Sequence, residues 1–515
     1  MAQNLFKMNV MTKNILKYTF AAGAAMLMLA SCDLDLTPED AISYEEGKRL
    51  FTSESDIASF DNGLHSSFRA LLYGAHSQTS EIMCDGFNAT VNYNNHYGAV
   101  HQAGETFNAG DEYVESVWAS HYTAIKNYNI AIENADNVDA SLRADARLMK
   151  GDAYFYRAYS YLTLARHFGK AYDAATASSD LCVPLVLVYN QLEKPARASV
   201  KAVYDQVKSD LDSAAVLLAK VPGAVRSQMP TIDAVNAVYA RYFLDTKDYA
   251  KAAEYADNVI NSAAHYALAS TASAMTAEYS SDNGTEPIMQ MFASLQEGAG
   301  ANQMYLGEGG VRSDTQGKYF SSYYIPTKTL VDSYDASDIR LKNWFSQDKY
   351  LFMANGSRYS GIYVFTKYLG NSALYSGSNE TGAQARKPLL IGEQYLIAAE
   401  AYLLSSNAEK AKARLNTLQQ RRGASATSAT LQNIKKEWFR ETVGEGLRMS
   451  CLKRWGDPAA VRTPQTVAAS NNIIMTGASF EKRVLAADDY HFCWPIPSYE
   501  MKVNKNLVQN NGYSL

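Results

Sequence analysis

The sequence predicts a mostly α protein in which helical hairpins repeat and carry long irregular loops between them. Three observations lead to that class. Several long stretches place apolar residues at three- and four-residue steps, the period of one helix face. Two segments distant in sequence share one alanine-rich hairpin pattern in the same register. Between them the helical period lapses, and glycine, serine, asparagine and tyrosine accumulate.

In chain order, Glu112 to Ala135 and Ala144 to Phe168 read as long amphipathic helices, followed by a loop rich in Ala, Ser and Asp up to Asp180. Val200 to Ala219 puts Val203, Val207, Leu211 and Ala214 on one face. Ala237 to Ile260 splits into two short helices around the polar turn Asp245-Thr246-Lys247-Asp248. Ala240 and Ala252 stand twelve apart, where a tetratricopeptide-like hairpin needs small residues so that its helices can approach closely. Phe243 falls at the aromatic position between them. Gln394 to Leu418 repeats this grammar, with Ala399 and Ala411 twelve apart and Tyr402 matching Phe243.

From Ile260 to Lys387 no helical period holds, and Gly298 to Pro326 reads as loop throughout. A second irregular stretch, Tyr73 to Asn108, contains "CDGFNATVNYNNHYG". Excursions this long are functional or disordered, and their tyrosines argue against disorder. The chain holds 36 tyrosines against 18 phenylalanines. A phenol has a flat apolar face and a polar edge, which suits the stacking of sugar rings and the packing of loops equally.

The N-terminus reads as an export signal. Lys13 and Lys17 precede an apolar run from Tyr18 to Leu29, which falls short of the roughly twenty residues of a membrane span. Ala30 and Ser31 are small, as a signal peptidase requires. Leu-Ala-Ser-Cys resembles the bacterial lipobox, whose cysteine is lipidated and becomes the first mature residue. Residues 1–31 are therefore expected to be a lipoprotein signal peptide and Cys32 the lipid anchor. An ordinary secretory signal with a coincidental cysteine is the alternative. Met8 or Met11 as the start would give the basic region a more usual length. Asp33, Asp35, Glu39 and Asp40 form an acidic tether that also resembles the surface-export signal of Bacteroidetes lipoproteins. Removing residues 1–31 deletes Lys7, Lys13 and Lys17 and no acids, taking the formal charge from −5 to −8. That balance argues against nucleic acid and against an anionic-lipid patch as partners.

Composition is ordinary for a globular protein, with 515 residues, 47% hydrophobic and 20% charged. Beyond Cys32, Cys84, Cys182, Cys451 and Cys493 are dispersed, with neither metal-ligand nor disulfide-framework spacing. Enzyme motifs are missing: there is no GxSxG elbow, HExxH helix or Walker loop, and Gly310 to Lys318 has the wrong spacing for the last. A glycosidase needs only two well-placed carboxylates, yet nothing reads as the alternating strands and helices of a catalytic barrel. No cofactor is expected.

Three segments carry a family resemblance. "RASVKAVYDQVKSDLDSA" (Arg197 to Ala214), "EGLRMSCLKRWG" (Glu445 to Gly456) and "WPIPSYEMKVNKNLVQNNGY" (Trp494 to Tyr513) resemble signature segments of the SusD/RagB family. "CDLDLTPEDAIS" looks like that family's mature start, so the resemblance covers essentially the whole mature chain. Pro495, Pro497, Glu500, Asn504, Leu507, Gln509, Asn510, Gly512 and Tyr513 match the most specific segment. Cys451 departs, standing where the family commonly has an aspartate, so an ion pair there is expected to be absent.

The resemblance implies four tetratricopeptide-like units packed against a loop-rich ligand-binding half, a SusD-like α–α superhelix. It implies an N-terminal region at 32–220 and a C-terminal region at 221–515, with the ligand-binding excursion at about 261–387. The function it implies is capture of oligosaccharides at the outer membrane and delivery to a SusC-like TonB-dependent transporter. The alternative is a peptide-binding tetratricopeptide surface lipoprotein of a RagB-like uptake system. The candidate aromatic platform is Tyr93, His96 and Tyr97 in the first loop with Tyr305, Tyr319 and Tyr323 in the second. Asn92, Asn94 and Arg312 are the candidate hydrogen-bonding groups. Each tyrosine can equally pack its own loop. The spacing of His96 and His101 fits no metal motif, and Trp118, Trp438 and Trp455 are expected in the core.

Overall fold

Capping residues set where the helices begin. Ser53 and Asp56 form a capping box at the start of α1 (Glu54–Ala70). After α2 (Ala75–Ile82), Asp111 accepts the amides of Tyr113 and Val114 to open α3 (Glu112–Asn134). Next come α4 (Arg143–Phe168) and α5 (Val200–Leu217), capped by Ser199. The computed structural model describes residues 49–190, 192–297, 303–465 and 470–514. Ser53 to Leu515 is one contact-connected unit, while Arg49 to Thr52, the described part of the other unit, holds no helix or strand. Residues 1–31, the expected signal peptide, and Cys32 lie outside the described residues.

The predicted hairpins form and share one local code. The first is α6 (Ile232–Asp245) with α7 (Tyr249–Ile260); after α8 (Ala272–Ser280), the second is α9 (Ile391–Leu404) with α10 (Ala408–Arg421). Lys247 and Ser406, seven residues after Ala240 and Ala399, both adopt a left-handed φ of 65° that reverses the chain. The next residues, Asp248 and Asn407, cap the returning helices through the amides of Lys251 and Lys410. Ala240, Ala252, Ala399 and Ala411 are fully buried, so the helix backbones approach closely. Although 130 residues separate Ile260 from Ile391, α7 and α9 pack together. Tyr402 Oη donates to Asp257 at 2.7 Å and Arg414 pairs with the same carboxylate, tying hairpin to hairpin.

Earlier helices are cross-linked the same way. Arg157 on α4 makes a two-pronged bond to Asp210 on α5, at 2.7 and 2.9 Å, and a third to Asn129 on α3. A larger buried network joins the scaffold to the irregular half. Arg340 meets Asp338, Glu437 and Glu441, and Arg422 meets Glu286 and Glu441. Glu437 and Glu441 belong to α11 (Leu431–Glu441), which precedes α12 (Arg448–Trp455). On α12, Cys451 is buried. Arg454 one turn on takes Glu400 and Asp245 as its carboxylates, so the aspartate missing from position 451 leaves no orphan charge. Trp118 and Trp438 are core, whereas Trp455 is half-buried with its indole donating to Glu400.

The excursion differs from its expectation. It contains α8 and three short α-helices, Gln303–Leu306, Lys328–Val331 and Ile339–Trp344, and strands of a small sheet lie where Gly298 to Pro326 reads as loop. The strands involved are β1 (Phe87–Ala89), β2 (Arg312–Asp314), β3 (Gly317–Phe320), β4 (Tyr324–Pro326), β5 (Tyr350–Phe352) and β6 (Arg358–Tyr359). Four of them form a sheet in the order β2-β3-β5-β6. β2 and β3 make a tight antiparallel hairpin, and Gly317 supplies the positive φ at its turn. β3 then pairs in parallel with β5, a contact between distant residues that no local pattern announces.

Candidate functional site

The two irregular stretches are zipped into one body. β1 pairs antiparallel with β4, and past its end Thr90 donates its amide to Tyr323 and its hydroxyl to Ser322. Arg462 anchors the underside. Its buried guanidinium donates to the carbonyls of Ile82, Met83, Cys84, His101 and Phe480, three of them at the C-terminal end of α2. With no carboxylate among these partners, burial pushes its pKa down to about 9.

The four-stranded sheet has an inner and an outer face because side chains alternate along each strand. Phe320 and Leu351 point inward, into a cluster with Val311, Ile325, Met353 and Ile473. Tyr319, Tyr350, Phe352 and Arg358 share the outer face, as the pairings Tyr319 with Tyr350 and Phe352 with Arg358 require. All four are half-buried. The Arg358 guanidinium carbon lies 5.2 Å from the Tyr319 ring centre, 5.6 Å from Tyr350 and 5.3 Å from Phe352. Asp314, on the same face, forms an ion pair with it. Flat apolar rings grouped around one oriented cation provide stacking surface with a polar anchor at its centre.

The structure sorts the sequence-derived candidates. Tyr319 lies on this outer face. Asn94 is exposed, held in a left-handed turn by its φ of 46°. Arg312 is exposed at the sheet edge, with Nη2 donating to the Glu308 carbonyl at 2.9 Å. His96 stacks flat on Tyr323, centres 4.6 Å apart with 8° between planes, and this pair seats the first loop on the second. Tyr93 meets Phe480 edge-on, and Tyr97 packs on Tyr113 at 4.2 Å.

Three candidates need correction as ligand contacts. Tyr305 is 1% exposed, wedged between Phe87 and Phe365, so no ring face is open to a ligand. Tyr323, at 8% exposure, spends its face on His96. Asn92 uses both ends of its amide on the chain around β5, donating to the Phe352 carbonyl at 2.7 Å and accepting from Ala354 N at 2.8 Å. It is a clamp holding the sheet to the first loop. Tyr350, Phe352 and Arg358 were missed. Their signal was present: "KYLFMANGSRY" alternates side chains across an Asn-Gly turn, a strong hairpin pattern. Among the described residues no three His, Cys, Asp or Glu side chains are grouped to hold a metal ion, and no helix is long and apolar enough to cross a membrane.

Rings grouped around one guanidinium form the kind of surface on which a flat ligand stacks. Residues 34–244 match a SusD-like family described as starch-binding and associating with the outer membrane, and residues 244–513 match the SusD family. The chain belongs to the SusD family, a family of non-catalytic binding proteins associated with the outer membrane. It is 25% identical to SusD-like protein P2 of Formosa agariphila, over 96% of this chain and all of that one. The fold is shared with a SusD-like carbohydrate binding protein from Bacteroides vulgatus, at a TM-score of 0.71 and 19% identity, covering 89% of this chain and 98% of that one. A laminarin binding SusD-like protein superposes with a TM-score of 0.68 at 19% identity, covering 90% of this chain and 100% of that one.

Proposed function

We propose that this chain captures oligosaccharides on the outer sheet face and delivers them to a SusC-like TonB-dependent transporter, held at the outer surface of the outer membrane by acyl chains on Cys32. The observation that carries the reading is the cluster of Tyr319, Tyr350 and Phe352 around Arg358. A pyranose ring presents C–H groups on its faces, which stack on such rings, and hydroxyls at its rim, which need oriented polar partners. Arg358, Arg312 and Asn94 supply those partners. The starch-binding description of the matched family and the carbohydrate and laminarin ligands of the two structural relatives support this class of ligand.

An open face leaves much of the glycan in water, and transport requires release. Binding is therefore expected at roughly micromolar to millimolar dissociation constants, about −8 to −4 kcal/mol. The test is an array of glycans and peptides probed with the lipid-free chain. Glycan hits with silent peptides uphold the reading, while peptide hits with silent glycans replace it with the peptide-uptake alternative. Recovery of a large β-barrel transporter with the chain in mild detergent tests the delivery partner.

A further inference from the structure

The charges on the outer sheet face do not cancel. Strand alternation and register put Arg312, Asp314, Tyr319, Tyr350, Phe352 and Arg358 on it. The carboxylate of Asp314 is taken by Arg358. Lys318, one residue before Tyr319 and so on the opposite side of β3, is paired with Glu380. Arg312 is the cation left over. It is exposed, and Nη2 donates to the Glu308 carbonyl at 2.9 Å. Among the described residues that is its one hydrogen bond, and no carboxylate lies within ion-pair distance. Four of the five N–H donors of the guanidinium are therefore open to a ligand. The excess is local, since the whole chain carries a formal charge of −5 and its general field repels anions.

Position gives this charge its meaning. Arg312 stands directly across from Tyr319, so the two side chains leave neighbouring strands about 5 Å apart on one face. The bond to Glu308 steadies the guanidinium at the sheet edge, and Gly309 keeps its space free: a Cβ there would stand 3.1 Å from Nη2. A uronic acid carries its carboxylate at the rim of the pyranose ring. When the ring stacks on Tyr319, that carboxylate projects sideways over an adjacent strand, about 4.8 Å away. On one side of Tyr319 the adjacent strand is β2, which bears Arg312. Guanidinium and carboxylate are both planar and pair through two parallel N–H···O bonds. A neutral hexose offers a hydroxymethyl group there and forms a weaker, uncharged bond.

We propose that the outer face selects acidic glycans, with Arg312 pairing with the carboxylate of a uronate whose ring is stacked on Tyr319. This rests on the glycan-binding reading above and adds the substrate class to it.

Tetramers of galacturonate, mannuronate and glucuronate, each beside its carboxyl-reduced neutral counterpart, are titrated calorimetrically into the lipid-free mature chain, with EDTA present. At least one uronate is expected to bind about fivefold more tightly than its reduced counterpart, the ~1 kcal/mol of a well-formed exposed ion pair. Raising the salt from about 20 mM to about 0.5 M should shrink that preference. Arg312→Gln should bring the ratio to about one, and Arg312→Lys, which keeps the charge without the planar fork, should hold an intermediate value. Melting curves accompany both variants and should match wild type, because the side chain is exposed. A ratio below about twofold for every uronate overturns the proposal, and so does a preference that survives in Arg312→Gln. A sulfated neutral tetramer bound as tightly as the best uronate overturns the carboxylate assignment. The two readings fail differently: uronates and neutral glycans bound alike remove the acid selection and leave glycan binding standing, whereas no glycan bound at all removes both.

Discussion

Replacing Tyr319 and Phe352 together by alanine removes two of the three rings around Arg358 and is expected to abolish most glycan affinity while leaving the fold intact. Each ring–sugar contact contributes on the order of 1 kcal/mol, by analogy with aromatic pairs. Losing two costs about 2 kcal/mol, or about a thirtyfold rise in dissociation constant. Stability changes less. Both rings are half-buried on an outer face, Tyr350 remains beside Arg358, and its ion pair with Asp314 persists. Each lost ring–cation contact at such a site is worth about 0.5–1 kcal/mol. Tyr305→Ala makes the opposite control. That ring is buried 4.9 Å from Phe87 and 4.6 Å from Phe365, centre to centre, so its removal opens a cavity costing about 3–5 kcal/mol. The assay is calorimetric titration with an array hit, paired with a melting curve on the same preparation. The double variant should melt within a few degrees of wild type and bind weakly; Tyr305→Ala should melt early and bind normally at low temperature. Wild-type affinity in the double variant would refute the stacking argument.

Three further outcomes are expected. In the buried Arg340–Arg422 network, Glu441 is held down to about 2 by its two guanidiniums, so its contribution is present above the ordinary carboxylate value near 4.5 and lost as pH falls through 2; Glu441→Gln should flatten that part of the acid-unfolding profile. His121 is fully buried with neither ring nitrogen bonded among the described residues, and burial with neighbouring His76 and His167 lowers its pKa. His121→Leu should therefore raise the melting temperature, and the gain should grow as pH drops below about 6.5, where the unfolded wild-type chain takes up a proton that the fold refuses. Cys32→Ala should move the protein out of the membrane fraction, and unchanged retention on fractionation would contradict the lipid anchor.

What was legible in the sequence was what short-range rules encode. The hairpins announce themselves through alanines twelve apart and a polar turn, and the structure shows why: Lys247 and Ser406 reverse the chain at one register, and Asp248 and Asn407 restart it. The hairpin that carries Tyr350 has a local signal, but its place beside Tyr319 has none, because that partnership is a parallel pairing across 31 residues. Tyr305 and Tyr319 look alike in a glycine-rich stretch, yet one faces the core and the other the outside. Tyr305 sits on a four-residue helix and Tyr319 on a four-residue strand, and no periodicity can be read over such short segments. Asn92 misled for a related reason: a polar residue in an aromatic loop suits a ligand and a structural clamp equally until its partners are known.

The central claim is that glycan binds on the outer face of the four-stranded sheet. A crystal structure of the chain with an oligosaccharide hit tests it most directly. The account predicts a sugar ring stacked on Tyr319, Tyr350 or Phe352, with a hydroxyl within hydrogen-bonding distance of the Arg358 guanidinium. An oligosaccharide bound elsewhere on the chain, with this face bare, would contradict it.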